Sequence, residues 1–406
     1  MRKITFALVA MALITACTCQ KTVVSVSNAS NSDLADKVVV MTRAEVEAKL
    51  GKGLANQVAV AYNDKGEALP SQCDDLDGDG QWDELAFLLD IKANESKKLT
   101  LQTFEADKAP QFTKRTNIRF GQKNEPYAEV TDDARLKSDD SPTISAIYQM
   151  EGPAWENDVV GFRNYYDARN GMDIYGKRTN KMALDSAGIR GQNYHVLSDW
   201  GMDILKVANS LGAGAIAISV GDSVYRVGPC EEGHYRFITE GPVRAIFELT
   251  YKGVPAGDRL YNVRHRIAIS ASNSFYCSKV WVDGLKGDET LTTGIVTQYN
   301  LPLIEAGNAG YKIFGTLGNQ AFDHEYLGLG LFYPENQYVR HYTSPMTGPG
   351  VTETYLNDLK LVADTPAEYH FFSAWELQDA NYKSQDYFVS KLQEAATKEA
   401  AKVDVK

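Results

Sequence analysis

Val243-Arg244-Ala245-Ile246-Phe247-Glu248-Leu249-Thr250-Tyr251 alternates at a period of two. Val243, Ala245, Phe247, Leu249 and Tyr251 take one parity, and Arg244, Glu248 and Thr250 take the other. Successive side chains of a strand point to opposite faces, so the pattern predicts a strand with one buried face. Val263, His265, Ile267 and Ile269 repeat it against Arg264 and Arg266. Phe275 to Val282 follows as a third run, rich in β-branched and aromatic residues. Clusters of glycine, asparagine and aspartate punctuate these runs. Long strands in series with few helical patterns predict a mainly β fold, with large antiparallel sheets packed face to face. Val38-Val39-Val40 is a short strand, after which Thr42-Arg43-Ala44-Glu45 has capping-box spacing and opens a short helix towards Leu50. Ser384 to Ala401 has helical spacing at Phe388, Leu392 and Ala395, and Asp199 to Leu211 is a candidate for another short helix.

The N-terminus is of a different kind. Arg2 and Lys3 precede an almost entirely apolar run from Ile4 to Leu13, too short to span a bilayer and suited to a signal-peptide core. Ile14-Thr15-Ala16-Cys17 resembles the lipobox of bacterial lipoproteins, in which the cysteine thiol is acylated and becomes the first residue. Cys17 is therefore the expected lipidation site, and membrane contact is expected through that anchor alone, on the periplasmic face or the outer-membrane surface. Residues 1–16 read as the signal and 17–36, rich in Ser, Asn, Lys and Asp, as a flexible tether. Residues 37–383 read as the β domain and 384–406 as a C-terminal helical tail.

The formal net charge is −11, and removing Arg2 and Lys3 with the signal takes it to −13. That acidity argues against nucleic acid, whose phosphates need a basic footprint. It leaves room for a local basic pocket that holds an acidic sugar. Beyond Cys17, the cysteines Cys19, Cys73, Cys230 and Cys277 have no CxxC or zinc-ligand spacing, and most read as free buried thiols.

Asp75-Leu76-Asp77-Gly78-Asp79-Gly80-Gln81-Trp82-Asp83-Glu84 places carboxylates at loop positions one, three, five and nine, with glycine at six. Hard Ca²⁺ takes oxygen ligands in such a turn, so Asp75, Asp77, Asp79 and Asp83 are expected to hold a structural Ca²⁺. Position twelve is Ala86, not the bidentate glutamate of an EF-hand, and Leu85 to Ile91 is strand-like. The competing reading is an exposed acidic hairpin with solvated charges.

The densest unusual run is Trp155 to Lys177. Read as one continuous strand, it puts Val160, Phe162 and Tyr166 on one face and Trp155, Val159, Arg163, Tyr165 and Asp167 on the other. Aromatic rings stack on sugar faces, and a guanidinium grips a carboxylate with two parallel bonds. Trp155, Tyr166, Lys206 and His234 are thus the expected substrate-binding residues, against the alternative of an ion-paired sheet surface. Of six histidines, His195 is the best placed for acid–base work, among Tyr194, Asp199, Trp200 and Asp203. His265 shares parity with core residues and reads as buried structure. No HExxH or GxSxG occurs. Gly212-Ala213-Gly214-Ala215-Ile216-Ala217 fits the loose dinucleotide fingerprint, but a strand-like run follows it where a helix is required, so those glycines serve a turn or close packing.

Four segments together resemble the family of envelope proteins classified as domain of unknown function 4861. They are Pro70-Ser71-Gln72 with the Asp75–Glu84 loop, the Trp155–Lys177 run, the segment from Asp199 through Gly214, and Glu240-Gly241-Pro242-Val243-Arg244-Ala245. The resemblance implies a galactose-mutarotase-like β-supersandwich, and a setting among enzymes that degrade uronic-acid polysaccharides. It implies no assigned catalytic set. The expectation is an envelope carbohydrate-active enzyme, without organic cofactor, acting on a uronic-acid-rich glycan. In an elimination, Arg163 would hold the uronate carboxylate while His195 and Tyr165 move protons. In a hydrolysis, Glu156 and Asp203 would flank the scissile bond. A non-catalytic glycan-binding lipoprotein and a sugar epimerase are the alternatives.

Overall fold

The alternation of residues 243–282 is realised as three adjacent strands, Arg244–Ala256, Arg259–Ser270 and Phe275–Asp283, with Phe247 opposite Ile267 and Ile267 opposite Ser278. Their inward parity (Ala245, Phe247, Leu249, Val263, Ile267, Ile269) is buried in the largest core cluster. His265 lies on that face, fully buried and bonded to Ser278. The computed structural model describes residues 20–51, 53–136 and 147–406. The signal sequence and Cys17 lie outside the described residues.

These strands belong to an antiparallel sheet of nine strands that runs from Ile304–Asn308 at one edge to Asp132–Leu136 at the other. Two five-stranded sheets share its core. One contains Ala217–Val220, Glu289–Val296 and Thr354–Lys360; the other contains Ala154–Asn157, Val160–Asn164, Met172–Lys177 and Gly201–Asp203. The protein is mainly β, built of large antiparallel sheets with a helix near its C-terminal end. Among the described residues, no helix is long and apolar enough to cross a membrane.

Part of the stretch read as a tether is ordered strand. Lys21–Asn28 pairs with Ser96–Glu105 on one side and Val403–Val405 on the other. Val24 and Val26 are buried there with Met41, Phe87 and Leu101 in a second core. Thr42 caps the helix Arg43–Leu50 with the capping box complete. The short helix expected over Asp199 to Leu211 is absent. Gly201–Asp203 pairs instead with Met172–Lys177, and Gly201, at φ +132°, comes so close to that strand that a Cβ would lie 1.8 Å from the Gly176 carbonyl oxygen. Gly212 and Gly214 also serve close approach, to the Met172 carbonyl and to the ring of Phe371.

The helix Gln385–Ala400, capped by Ser384, lays Phe388, Leu392 and Ala396 on Phe275, Phe332 and Phe372 of the large sheet. Gly315 and Gly328 make room for the Phe388 ring, which a Cβ at either position would crowd. Phe388→Ala is expected to lower unfolding stability by about 3–5 kcal/mol, as for other buried Phe truncations, read from the urea midpoint.

Candidate functional site

The Trp155–Lys177 run is not one strand. The Asn157 side-chain oxygen accepts the backbone N–H of Val159 (2.8 Å) and Val160 (2.9 Å), turning the chain between Ala154–Asn157 and Val160–Asn164. The turn changes the parity, so Trp155 stands opposite Phe162 and shares its face. Trp155 is buried on Phe162 and Tyr276, and Tyr166 is buried on Phe120. Both are core, and neither is available to stack on a sugar.

The opposite face of this small sheet is polar. Ala154, Arg163 and Asp173 form one row across the strands, and Glu156, Gly161, Tyr175 and Asp203 form the next. The loop of residues 178–200 covers this face, packing Leu184, Ala187, Tyr194 and Trp200 against Met150 and Tyr175. Arg163 lies beneath it, 2% exposed. Its Nε and Nη2 donate to Asp173 Oδ2 (3.1 and 2.6 Å), and Nη2 also reaches Asp203 Oδ2 (2.8 Å) and the Tyr165 hydroxyl (2.8 Å). Nη1 donates to the Tyr194 hydroxyl at 3.1 Å. A guanidinium cannot shed its charge by deprotonating in a protein, so burial obliges it to collect acceptors.

Two carboxylates share this one cation. Desolvation and then the neighbouring Asp173 push the Asp203 carboxyl well above the usual range, and Arg163 offsets only part of that. A protonated Asp203 leaves the buried cluster neutral, the state a low-dielectric site favours. Burial also raises the Tyr165 phenol, which donates to Asp173 Oδ2 at 2.7 Å and stays protonated. His195, in the covering loop, closes the cluster. Its ring is half exposed, with Nδ1 3.5 Å from Asp203 Oδ2. Desolvation, then the Arg163 charge, lowers the imidazole below its ordinary value, so it is neutral at pH 7. Arg169 stacks on the Tyr165 ring at 4.1 Å, pairs with Asp167 and keeps about a third of its side chain in solvent.

Arg163, Tyr165, His195 and Asp203 therefore meet. Arg163 does so with all three guanidinium nitrogens bonded inside the protein, so it has no free edge for a ligand carboxylate and acts as a positioning residue. Glu156 does not join. It is buried against Lys177 and accepts the backbone N–H groups of Ala183 and Leu184 (both 2.8 Å). Glu156 and Asp203 lie three strands apart in their row, about 14 Å at about 4.8 Å per strand. That backbone spacing is well beyond the roughly 9.5 Å expected between the carboxyls of an inverting pair, and Glu156 is fully buried and bonded within the protein, which argues against the two flanking one glycosidic bond. Lys206 is exposed and takes no part in these bonds. His234 pairs with Asp132 at 3.0 Å, on strands of the large sheet. Asp173 and Tyr194 are the partners that sequence reasoning missed. The turn signal Asp167-Ala168-Arg169-Asn170-Gly171 marks a chain reversal that places Asp173 on the strand beside Arg163, but the exact register, with residues 165–171 as the loop, is set by the fold.

In the acidic loop, oxygens of Asp75, Asp77 and Asp83 lie within 4.8 Å of one another, while Asp79 falls outside that group. Asp75 is held below the usual carboxylate range; desolvation works upward, but the N–H groups of Gly78 and Gly80 outweigh it. Residue twelve, Ala86, is buried in the strand Glu84–Ile91.

Fold and cluster together define a mainly β protein with a half-exposed histidine at the edge of a buried ion network. The chain belongs to the family described as a domain of unknown function, DUF4861, whose model matches residues 26–405. An uncharacterized protein of Formosa agariphila is 25% identical over 250 residues, covering 57% of this chain and 56% of its own length. Among solved structures, an alpha-mannosidase from Enterococcus faecalis has a TM-score of 0.49 at 10% identity, over 95% of this chain and 46% of that one. A glycosyl hydrolase family 38 protein of the same organism has a TM-score of 0.48 at 10% identity, over 95% and 47%. The chain thus spans about half the length of each of these proteins.

Replacing Arg163 with Met removes the shared cation and strands two carboxylates in the interior. Arg163→Met is expected to lose about 3–5 kcal/mol of stability, read by urea denaturation at pH 7. A loss under 1 kcal/mol would show that the network carries little of the fold.

Proposed function

We propose that this chain is a lipid-anchored envelope protein that acts on acidic carbohydrate, with His195 as its solvent-facing acid–base residue. The observation that carries the reading is the 3.5 Å approach of His195 Nδ1 to the buried Asp203 carboxyl, with half of the ring open to solvent. Asp203 orients the imidazole, leaving its other nitrogen for a substrate proton. A neutral imidazole beside a protonated carboxyl is a base paired with an acid, the set that proton abstraction next to a uronate carboxylate requires. With Arg163 committed internally, Arg169 is the cation with solvent access that suits the substrate carboxylate. Phe322, exposed and with its ring centroid 6.3 Å from that of His195, is a flat apolar surface for a sugar ring. Elimination is favoured over hydrolysis because Glu156 is sealed against Lys177 and two backbone N–H groups, three strands from Asp203.

A non-catalytic glycan-binding reading has a different support. On the outer face of the nine-stranded sheet, Arg264 lies 3.7 Å over the Trp281 ring, beside Arg266. Oligouronides of pectic, algal and host origin separate the two readings. Turnover with rising absorbance in the unsaturated-uronide band supports elimination, and binding without any new product supports the module.

His195→Gln is expected to lower kcat at least a hundredfold while leaving the melting temperature within about 2 °C. With the base depressed in pKa, kcat/KM of the native protein is expected to hold from pH 7 down past about 6.5 and to fall only below the ordinary imidazole value. An acid limb centred above pH 6.5 would exclude neutral His195 as the base.

The same reading gives the loop of Asp75, Asp77 and Asp83 a structural Ca²⁺, with Asp79 on its rim. A turn of converging carboxylates gains most from a hard cation. Chelation with EDTA is expected to lower the melting temperature by several degrees and added Ca²⁺ to restore it. An unmoved transition rejects the ion.

A further inference from the structure

On the outer face of the large sheet, far along the chain from the acid–base cluster, three different metal-ligating side chains converge. Cys277, on Phe275–Asp283, stands opposite His370, on Ala367–Trp375, and Glu368 lies two residues before His370 on the same face. One ligand atom from each lies within 4.8 Å of the other two. Glu399, on the helix Gln385–Ala400, approaches from above.

The imidazole is the informative member. His370 is fully buried, and neither Nδ1 nor Nε2 has a close hydrogen bond; the nearest polar groups to the ring are the Cys277 thiol and the Glu368 and Glu399 carboxylates. Its orientation is set by packing, with the ring stacked on Phe332 at 4.6 Å and edge-on to Phe275 at 5.6 Å. Nε2 points between two carboxylates, 3.8 Å from Glu368 Oε1 and 3.7 Å from Glu399 Oε2. Those gaps are too long for hydrogen bonds. They are close to the separation of ligand atoms around tetrahedral zinc, about 3.3–3.6 Å for bonds of about 2.0–2.3 Å. The other oxygen of Glu368 faces Lys279 Nζ at 3.4 Å, the outer partner that orients a ligating carboxylate. A cavity of about 410 Å³ opens beside the cluster, lined by Cys277 and Glu399 and by Val38 and Val40 of the strand Leu34–Thr42.

We propose that Cys277, Glu368 and His370 form a divalent transition-metal site of zinc type, with Glu399 as its fourth ligand. Thiolate, imidazole and carboxylate together select a borderline-soft ion over Ca²⁺ or Mg²⁺. Binding sends the thiol proton and the proton on the coordinating imidazole nitrogen to solvent and replaces the long carboxylate contact of that nitrogen with a coordinate bond. Because its ligands come from two strands and the C-terminal helix, the ion would fasten that helix to the sheet.

The test uses the mature chain, stripped with chelator and titrated with Co²⁺. The expected result is one equivalent bound, with a near-ultraviolet thiolate-to-cobalt absorption that Zn²⁺ abolishes. Zn²⁺ is also expected to raise the melting temperature. Cys277→Ser, a near-isosteric change at a partly exposed position, is expected to lose the band and at least tenfold in affinity. Glu368→Gln is expected to keep the band and bind at least tenfold more weakly, which reads the site even if Cys277→Ser fails to fold. The absence of a thiolate band overturns the site. So does a band that persists in Cys277→Ser, which would belong to Cys19, Cys73 or Cys230. The oxygen-only Asp75 loop gives no such band with Co²⁺, so failure here and failure of the Ca²⁺ reading are separate outcomes.

Discussion

A guanidinium sealed from water sets the terms for the candidate site. Arg163 is 2% exposed and cannot neutralise itself, so the fold must bring acceptors to it. Asp173 comes from the neighbouring strand, Asp203 from the strand beyond, and the Tyr165 and Tyr194 hydroxyls from the flanking loops. Each acceptor fixes one element of the small sheet or its cover. Two carboxylates around one cation would leave a net negative charge in a dry place, and protonating Asp203 relieves it. The protonation behaviour of His195 is tied to this arrangement. Burial, then the same guanidinium that holds Asp203, lowers the imidazole, while burial and Asp173 raise its buried neighbour.

Much of the β architecture was legible because its signal is local. In the strands of residues 243–282 one parity faces the core, and a sheet with one wet side writes that directly into the alternation. The capping box at Thr42 and Glu45 was legible for the same reason, since both partners lie within one helical turn. Lys21–Asn28 was not. Its serines and lysines look like a tether, and what orders it is pairing with residues 96–105 and 403–405, a contact no local window contains. Trp155 failed differently. A parity argument holds only while a strand continues, and one asparagine side chain bonded to two backbone N–H groups ended the strand two residues later. The tryptophan chosen as a sugar platform became core as a result.

The site was legible in its chemistry and not in its geometry. Arg163, Tyr165, His195 and Asp203 are residue types whose burial demands partners, and they did find one another. Glu156 carries the same carboxylate but sits at the far end of a row of strands, where Lys177 and two backbone N–H groups use it completely. Nothing in the sequence distinguishes these two fates, because the difference lies in which strand each residue faces.

The two buried charged clusters can be told apart by what they leave unmet. Around Arg163 every guanidinium nitrogen has an acceptor, as expected of a network whose purpose is to hold elements together. Around His370 the ring is equally buried, yet its nitrogens make no close hydrogen bond, and the two carboxylates beside Nε2 stand 3.7–3.8 Å away. Leaving a buried polar group unmet costs about 1–3 kcal/mol. The contrast between a completely satisfied guanidinium and an imidazole held loosely beside a thiol and two carboxylates is what an ion seated among those groups would account for. The helix that supplies Glu399 is followed directly by the strand Val403–Val405, which closes the N-terminal sheet. An ion at His370 would therefore tie the large sheet to the helix leading into the last strand of the N-terminal module.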